Sequence, residues 1–207
     1  MNKNEKFVIT INREIGSGGH TVGAKLSAKL GVPYYDKAVI QGLMEKYKLS
    51  VEEIERLKGR KQEWWSEFKR VVGIGSGFKS SDGDEPNPLN VGEMFRTEKE
   101  ILKGIAESES CVIAGRSGFF VFKDHPNRLS IFITAPLEQR IERLVSHQGL
   151  TAEEAAKTIE KVDTGRENYI KKFTGTTRYD TRNYDLVISM KGKTEDEIAD
   201  LILQYIG

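Results

Sequence analysis

The chain has 207 residues, with 32 Lys plus Arg against 31 Asp plus Glu, a formal net charge of +1, and 38% hydrophobic residues. That length suits one domain with a sizeable core, and the balanced charge excludes the global field of a duplex nucleic-acid or anionic-membrane binder, so any anion affinity must be local. A single cysteine excludes a disulfide framework, and no apolar run approaches the ~20 residues that span a bilayer. With no signal peptide, the expected compartment is the cytoplasm and the expected partners are small molecules.

Strand and helix patterns alternate along the chain. The run FVITI, residues 7–11, predicts a first strand, followed by glycines at 16, 18 and 19 and a helical segment over 20–30. GVPYYD predicts a second strand over 32–34 and ends in Asp36. Ser50 with Glu53 matches a capping box and predicts a helix start. Trp64 and Trp65 follow in a charged helical stretch, where core packing is the simplest role. Residues 73–90, GIGSGFKSSDGDEPNPLN, lack any apolar period and predict an exposed, mobile loop.

A third strand is expected over 111–114, with Cys111 as a buried small hydrophobe, and it delivers the chain to Gly115 and Arg116. A fourth, over 129–133, runs into a helix carrying Arg140 and Arg143. Thr151 with Glu154 and Thr194 with Glu197 are two further capping boxes, and a fifth strand is expected over 185–189. VDTGREN sets Asp163 and Arg166 three apart, and Arg178 and Arg182 lie beyond. The alternation predicts an α/β fold, a five-stranded parallel sheet with helices on both faces.

A short strand emptying into a glycine-rich turn and then a helix is how a phosphate-binding loop is built, because glycines let backbone N–H groups turn inward and the helix N-terminus adds its dipole. Gly16, Ser17, Gly18, Gly19, His20 and Thr21 are the candidate residues. Against the pattern GxxxxGK[ST], Glu14 stands at the first glycine and His20 at the lysine. The missing charge has Arg13 or one of the later arginines as candidate sources. A dinucleotide-binding unit shares the strand, glycine turn, helix and strand order, with Asp36 about 20 positions on as its ribose ligand. Against that reading, Thr21 stands where a third fingerprint glycine belongs. Arg116, expected at the carboxyl edge of the sheet, has the planar fork that suits a phosphate.

With these motifs together, the chain resembles the cytidylate kinase-like branch of the P-loop nucleoside monophosphate kinases, a likeness carried by REIGSGGHTVGAKLSAKLGVPYYDK, VIAGRSG and YDLVISM followed by KTEDEIADLI. The correspondence is poorest over residues 50–95. The resemblance implies an ATP- and Mg²⁺-dependent phosphotransferase acting on a nucleoside monophosphate or other small phosphorylated acceptor. It implies one domain in which residues 37–95 form an acceptor-binding insertion and 137–182 a lid. Gly16 to Thr21 would bind donor phosphates, with His20 at the catalytic lysine position and the Thr21 hydroxyl on Mg²⁺. Asp36 would lie at the acceptor side and Arg116 would grip the acceptor phosphate. Arg140, Arg143 and Arg166 would be lid or phosphate arginines. Where the branch carries an aspartate after the strand arginine, this chain has Ser117. The substitutions at 14 and 20 leave two alternatives: a nucleotide-binding pseudokinase or sensor without phosphoryl transfer, and an NAD-binding oxidoreductase.

Overall fold

The computed structural model describes residues 1–40, 91–115 and 117–207, with Val91 described by its backbone alone. The expected helix after Ser50, both tryptophans, the loop 73–90 and Arg116 lie outside the described residues. Five strands form one all-parallel sheet: β1 (Val8–Arg13), β2 (Tyr34–Tyr35), β3 (Cys111–Ala114), β4 (Arg128–Thr134) and β5 (Leu186–Ser189), in the order β2-β3-β1-β4-β5. The principal helices among the described residues are α1 (Gly19–Leu30), α2 (Val91–Ser108), the single turn α3 (Gly118–Val121), α4 (Leu137–Gln148), α5 (Ala152–Thr174) and α6 (Glu195–Ile206).

The strand ends depart from the expected bounds for identifiable reasons. β1 runs two residues past the apolar stretch because Asn12 and Arg13 are held in register with Phe132 and Ile133 of β4. β2 begins at Tyr34 rather than residue 32; Pro33 has no N–H to donate, though its carbonyl accepts from the Val112 N–H at 3.0 Å.

Period-two alternation sorts β1 between two cores. Ile9 and Ile11 face a cluster containing Val22 and Leu26 of α1 and Ile198 and Ile202 of α6. Val8 faces the opposite cluster, with Ile101, Leu102 and Ile105 of α2, Cys111 and Ile113. Thr10 shares that second side, and its hydroxyl donates to the Ser130 hydroxyl at 3.3 Å. α3 rests directly on it: a Cβ at Gly118 would lie 3.0 Å from Thr10 Cγ2. The helices therefore cover both faces, as the strand and helix alternation predicts.

The sheet order also removes one alternative. In the dinucleotide-binding arrangement β2 lies beside β1. Here β3 and β4 flank β1 and β2 is an edge strand, so the first crossover skips a position and the glycine turn faces β3 and β4.

Two of the three capping boxes fall on described residues and both form. Thr151 and Thr194 accept from the N–H of Glu154 and Glu197, and each glutamate reaches back to the cap backbone. Thr151→Ala is expected to lower the unfolding free energy by about 1 kcal/mol, the usual worth of a side-chain cap. Urea denaturation of the two proteins checks this, and an unchanged midpoint would show that the cap is dispensable.

Candidate functional site

The β1 carboxyl end and the turn into α1 form a loop in which Gly16 and Gly18 have φ of +76° and +81°, the left-handed region. Gly16 is also held close to α4, where a Cβ would lie 2.7 Å from the Arg140 carbonyl oxygen. Ser17 is buried and clasps the loop from inside: its hydroxyl donates to the Glu14 carbonyl at 2.8 Å and accepts from the Gly19 N–H at 3.3 Å. The Gly16 and Gly18 N–H groups find no acceptor among the described residues. Helix α1 begins at this loop with no side-chain cap and no acidic residue in its first turn, so its N-terminal dipole is not offset by a side chain of that turn.

Around the loop lies a buried lattice of ions centred on Asp163. On α5 the inward stripe is Ala155, Ile159, Asp163 and Ile170, so helical spacing sends a carboxylate where an apolar residue would ordinarily stand. Its Oδ1 accepts from the Ile15 N–H at 3.2 Å, from Arg178 at 3.3 Å and from Arg166 at 3.5 Å, and its Oδ2 accepts from Arg140. Arg140 shares the inner face of α4 with Leu144. Its Nε donates to the Ile15 carbonyl at 2.8 Å and its Nη1 pairs with Glu14 at 3.3 Å. Arg178 is fully buried, and both it and Arg166 donate to the carbonyl of Arg13. Burial first, then the neighbouring Arg13 and Arg178 charges, pushes the Arg166 guanidinium down to about 10.

Glu14 does not point into the turn. The Thr134 hydroxyl donates to one carboxylate oxygen and Arg140 pairs with the other. His20 projects from the first turn of α1, largely exposed, with Nε2 3.0 Å from Asp36 Oδ2. The Tyr34 ring stands edge-on to it at 5.4 Å, and the Tyr34 hydroxyl donates to the His20 carbonyl at 3.2 Å. The hydrogen bond from His20, reinforced by the Val39 N–H, holds the Asp36 carboxyl below its ordinary value against the opposing effect of burial. Arg143 binds Glu195 and donates to the Thr21 hydroxyl at 3.3 Å.

The candidates read from sequence thus fall into two groups. Gly16 to Gly19, Thr21, Arg140, Arg143 and Arg166 gather at one loop, while His20 turns away to pair with Asp36 on the β2 side. Sequence reasoning missed the central position of Asp163, the burial of Arg178 and the parts played by Tyr34 and Glu195. Only Asp163 left a signal, a carboxylate in step with the apolar stripe of α5.

Comparison with known families decides the lineage: a family model for the cytidylate kinase-like family matches residues 8–192. The chain belongs to the cytidylate kinase-like family. It is similar to the cytidylate kinase of Methanopyrus kandleri, 26% identical over 204 residues that cover 94% of this chain and 90% of that protein. It is also similar to the cytidylate kinase of Sulfolobus acidocaldarius, 27% identical over 112 residues, covering 54% and 61%. Among solved structures, an uncharacterized protein from Eubacterium ventriosum has a TM-score of 0.69 at 24% identity, covering 97% of this chain and 98% of that one. A protein from Thermus thermophilus has a TM-score of 0.52 at 21% identity, covering 98% and 97%. These two likenesses show the shared fold.

For a cytidylate kinase-like protein the metal question turns on few ligands, since Mg²⁺ usually takes one or two protein groups and completes its shell with phosphate and water. Among the described residues no three His, Cys, Asp or Glu side chains converge on a metal position. The Thr21 hydroxyl in the first turn of α1 is compatible with the sparser donor set.

Two outcomes follow from this geometry. Asp163→Asn keeps the side-chain volume but strands the buried arginines, and is expected to destabilise the fold by about 3–5 kcal/mol in urea unfolding; a loss below about 1 kcal/mol would show that the arginines are balanced without it. For Asp36, a depressed carboxyl stabilises above its unfolded value near 3.9 and loses that contribution as pH falls through the lower folded value. Wild type is therefore expected to exceed Asp36→Asn in stability at pH 6 by up to about 1 kcal/mol, the range of partly exposed pairs. The difference should vanish in the most acidic folded samples, and a gap that widens on acidification would contradict the assignment.

Proposed function

We propose that this chain is a phosphotransferase that binds ATP with Mg²⁺ over Gly16 to Thr21 and moves the γ-phosphoryl to a nucleoside monophosphate or another small phosphorylated acceptor. The observation that carries the proposal is the loop itself: a glycine turn at the carboxyl edge of a parallel sheet, opening an uncapped helix and ringed by arginines. The family and its cytidylate kinase relatives make CMP the first acceptor to try.

In this reading the loop N–H groups and the α1 dipole cradle the donor phosphates. The Thr21 hydroxyl would hold Mg²⁺ together with oxygens of the nucleotide, and the ion would supply neutralisation of the phosphate charge. An acceptor phosphate oxygen attacks the γ-phosphorus in line, the bond to the β,γ-bridging oxygen breaks, and ADP leaves. An ionised acceptor phosphate needs no base, so the protein's work is positioning and electrostatics.

Arg116 and Asp36 serve the acceptor side, next to an acceptor-binding insertion over 37–95. Residues 137–182 form the lid. Arg140 acts as a positioning residue, since its donors go to Ile15, Glu14 and Asp163. Arg143 and Arg166 remain at the lid side of the loop. Incubation with ATP, Mg²⁺ and a panel of nucleoside monophosphates should release ADP with at least one acceptor. Arg116→Gln should lower kcat/KM about 10- to 100-fold, the worth of a charge-assisted phosphate contact. No ADP with any acceptor would overturn the enzyme reading.

A second reading rests on His20, whose pairing with Asp36 puts no lysine-like charge over the turn. It makes the protein a nucleotide-binding sensor. ATP would then raise the melting temperature with no transfer to any acceptor.

A further inference from the structure

A polyphosphate over this loop needs a cation, and the structure narrows where one can come from. His20 is turned to Asp36. Arg140 is divided between Glu14 and Asp163, and Arg143 is paired with Glu195. Arg166 and Arg178 are directed to Asp163 and to the Arg13 carbonyl. Arg13, the last residue of β1, differs from all of these: its guanidinium has no ion pair with any carboxylate among the described residues.

The path of the Arg13 side chain is built into two glycines. A Cβ at Gly19 would lie 2.7 Å from Arg13 Cβ, and a Cβ at Gly115 would lie 2.5 Å from Arg13 Nη1. The stem therefore runs along the last glycine of the phosphate turn, and the fork ends against Gly115, just past β3. Gly19 and Gly115 are thus the spaces that Arg13 occupies, whatever else each does. Burial lowers the guanidinium's proton affinity, and the neighbouring Arg178 charge lowers it further; Tyr34 and Asp36 oppose this from the β2 side. Arg13 and Arg178 in turn weaken Arg166. Arg166 and Arg178 reach Asp163 while Arg13, close enough to repel them, does not, an arrangement completed by a bound anion of high charge.

We propose that Arg13 is the phosphate-binding cation of this loop, taking the place of the absent lysine and gripping oxygens of a nucleoside polyphosphate with its planar fork. The proposal rests on the nucleotide-binding reading above. It adds that the positive charge enters from the strand before the turn rather than from the helix after it. A guanidinium fixed between two glycines supplies bidentate binding, where a lysine would supply a mobile point charge.

Isothermal titration with ATP and with inorganic tripolyphosphate, at constant Mg²⁺ and salt, tests it. Arg13→Gln should weaken both ligands about 10- to 100-fold, the loss of a charge-assisted contact. Arg128→Gln removes the same charge from the start of β4, where Arg128 pairs with Asp185 at 3.2 Å, and should leave both affinities unchanged. If Arg13→Gln does not fold by circular dichroism, Arg13→Lys decides: it keeps the charge, loses the fork and should weaken tripolyphosphate at least threefold. Wild type that binds neither ligand would remove the nucleotide reading and this proposal with it. Wild type that binds both, with the folded Arg13 variants equally tight, would overturn the proposal alone. So would an equal loss in Arg128→Gln, which would make the effect one of net charge, or a larger loss in His20→Ala.

Discussion

Most of the architecture around the loop depends on one buried carboxylate. Asp163 receives three guanidiniums and a loop N–H while being almost withdrawn from solvent. A lone carboxylate in such a place would be strongly disfavoured, as would Arg178 with no exposed surface. Each makes the other tolerable, and the geometry that pairs them also ties α4, α5 and the segment after α5 to β1 and its turn. Buried ion clusters of this kind contribute little net stability over an apolar core. What this one does is fix where the backbone of Arg13, Ile15 and Gly16 can lie.

That restraint bears on the glycine loop directly. Ile15 is held at both its N–H and its carbonyl, Arg13 is held at its carbonyl, and Ser17 clasps Glu14 to Gly19 from below. The loop is preorganised by its own protein, and its backbone is held in place by these contacts. Glu14 fits the same logic. A carboxylate at the mouth of an anion site would repel its ligand, yet its two oxygens are committed to Thr134 and Arg140 and its charge is absorbed into the cluster. The departure from the ordinary loop sequence at that position is therefore structural in its local effect. The departure at His20 is different, since the ring faces Asp36 across the entrance to α1 and links the loop to the β2 side.

The fold was largely legible in the chain because its signals are local. Buried parallel strands read as short apolar runs, capping boxes mark helix starts by reciprocal hydrogen bonds within four residues, and glycines punctuate the turn. Strand ends were less legible: the extension of β1 through Asn12 and Arg13 comes from pairing with β4, a strand more than a hundred positions away. The site was legible as a set of residue types and not as an arrangement. Arg140 and Arg178 have the composition of ordinary surface arginines, and nothing in their neighbours announces burial.

By itself the sequence determined an α/β chain with a glycine-rich turn after its first strand and arginines in its second half. Those properties follow from periodicity, backbone freedom and residue chemistry, which act over a few positions. The tertiary structure alone decided the order β2-β3-β1-β4-β5, the gathering of four arginines, Arg13, Arg140, Arg166 and Arg178, around Asp163 and the loop, and the turning of His20 toward Asp36. The reason is physical: the partner of a buried charge is chosen by which elements pack together, and packing joins residues that no short-range rule connects.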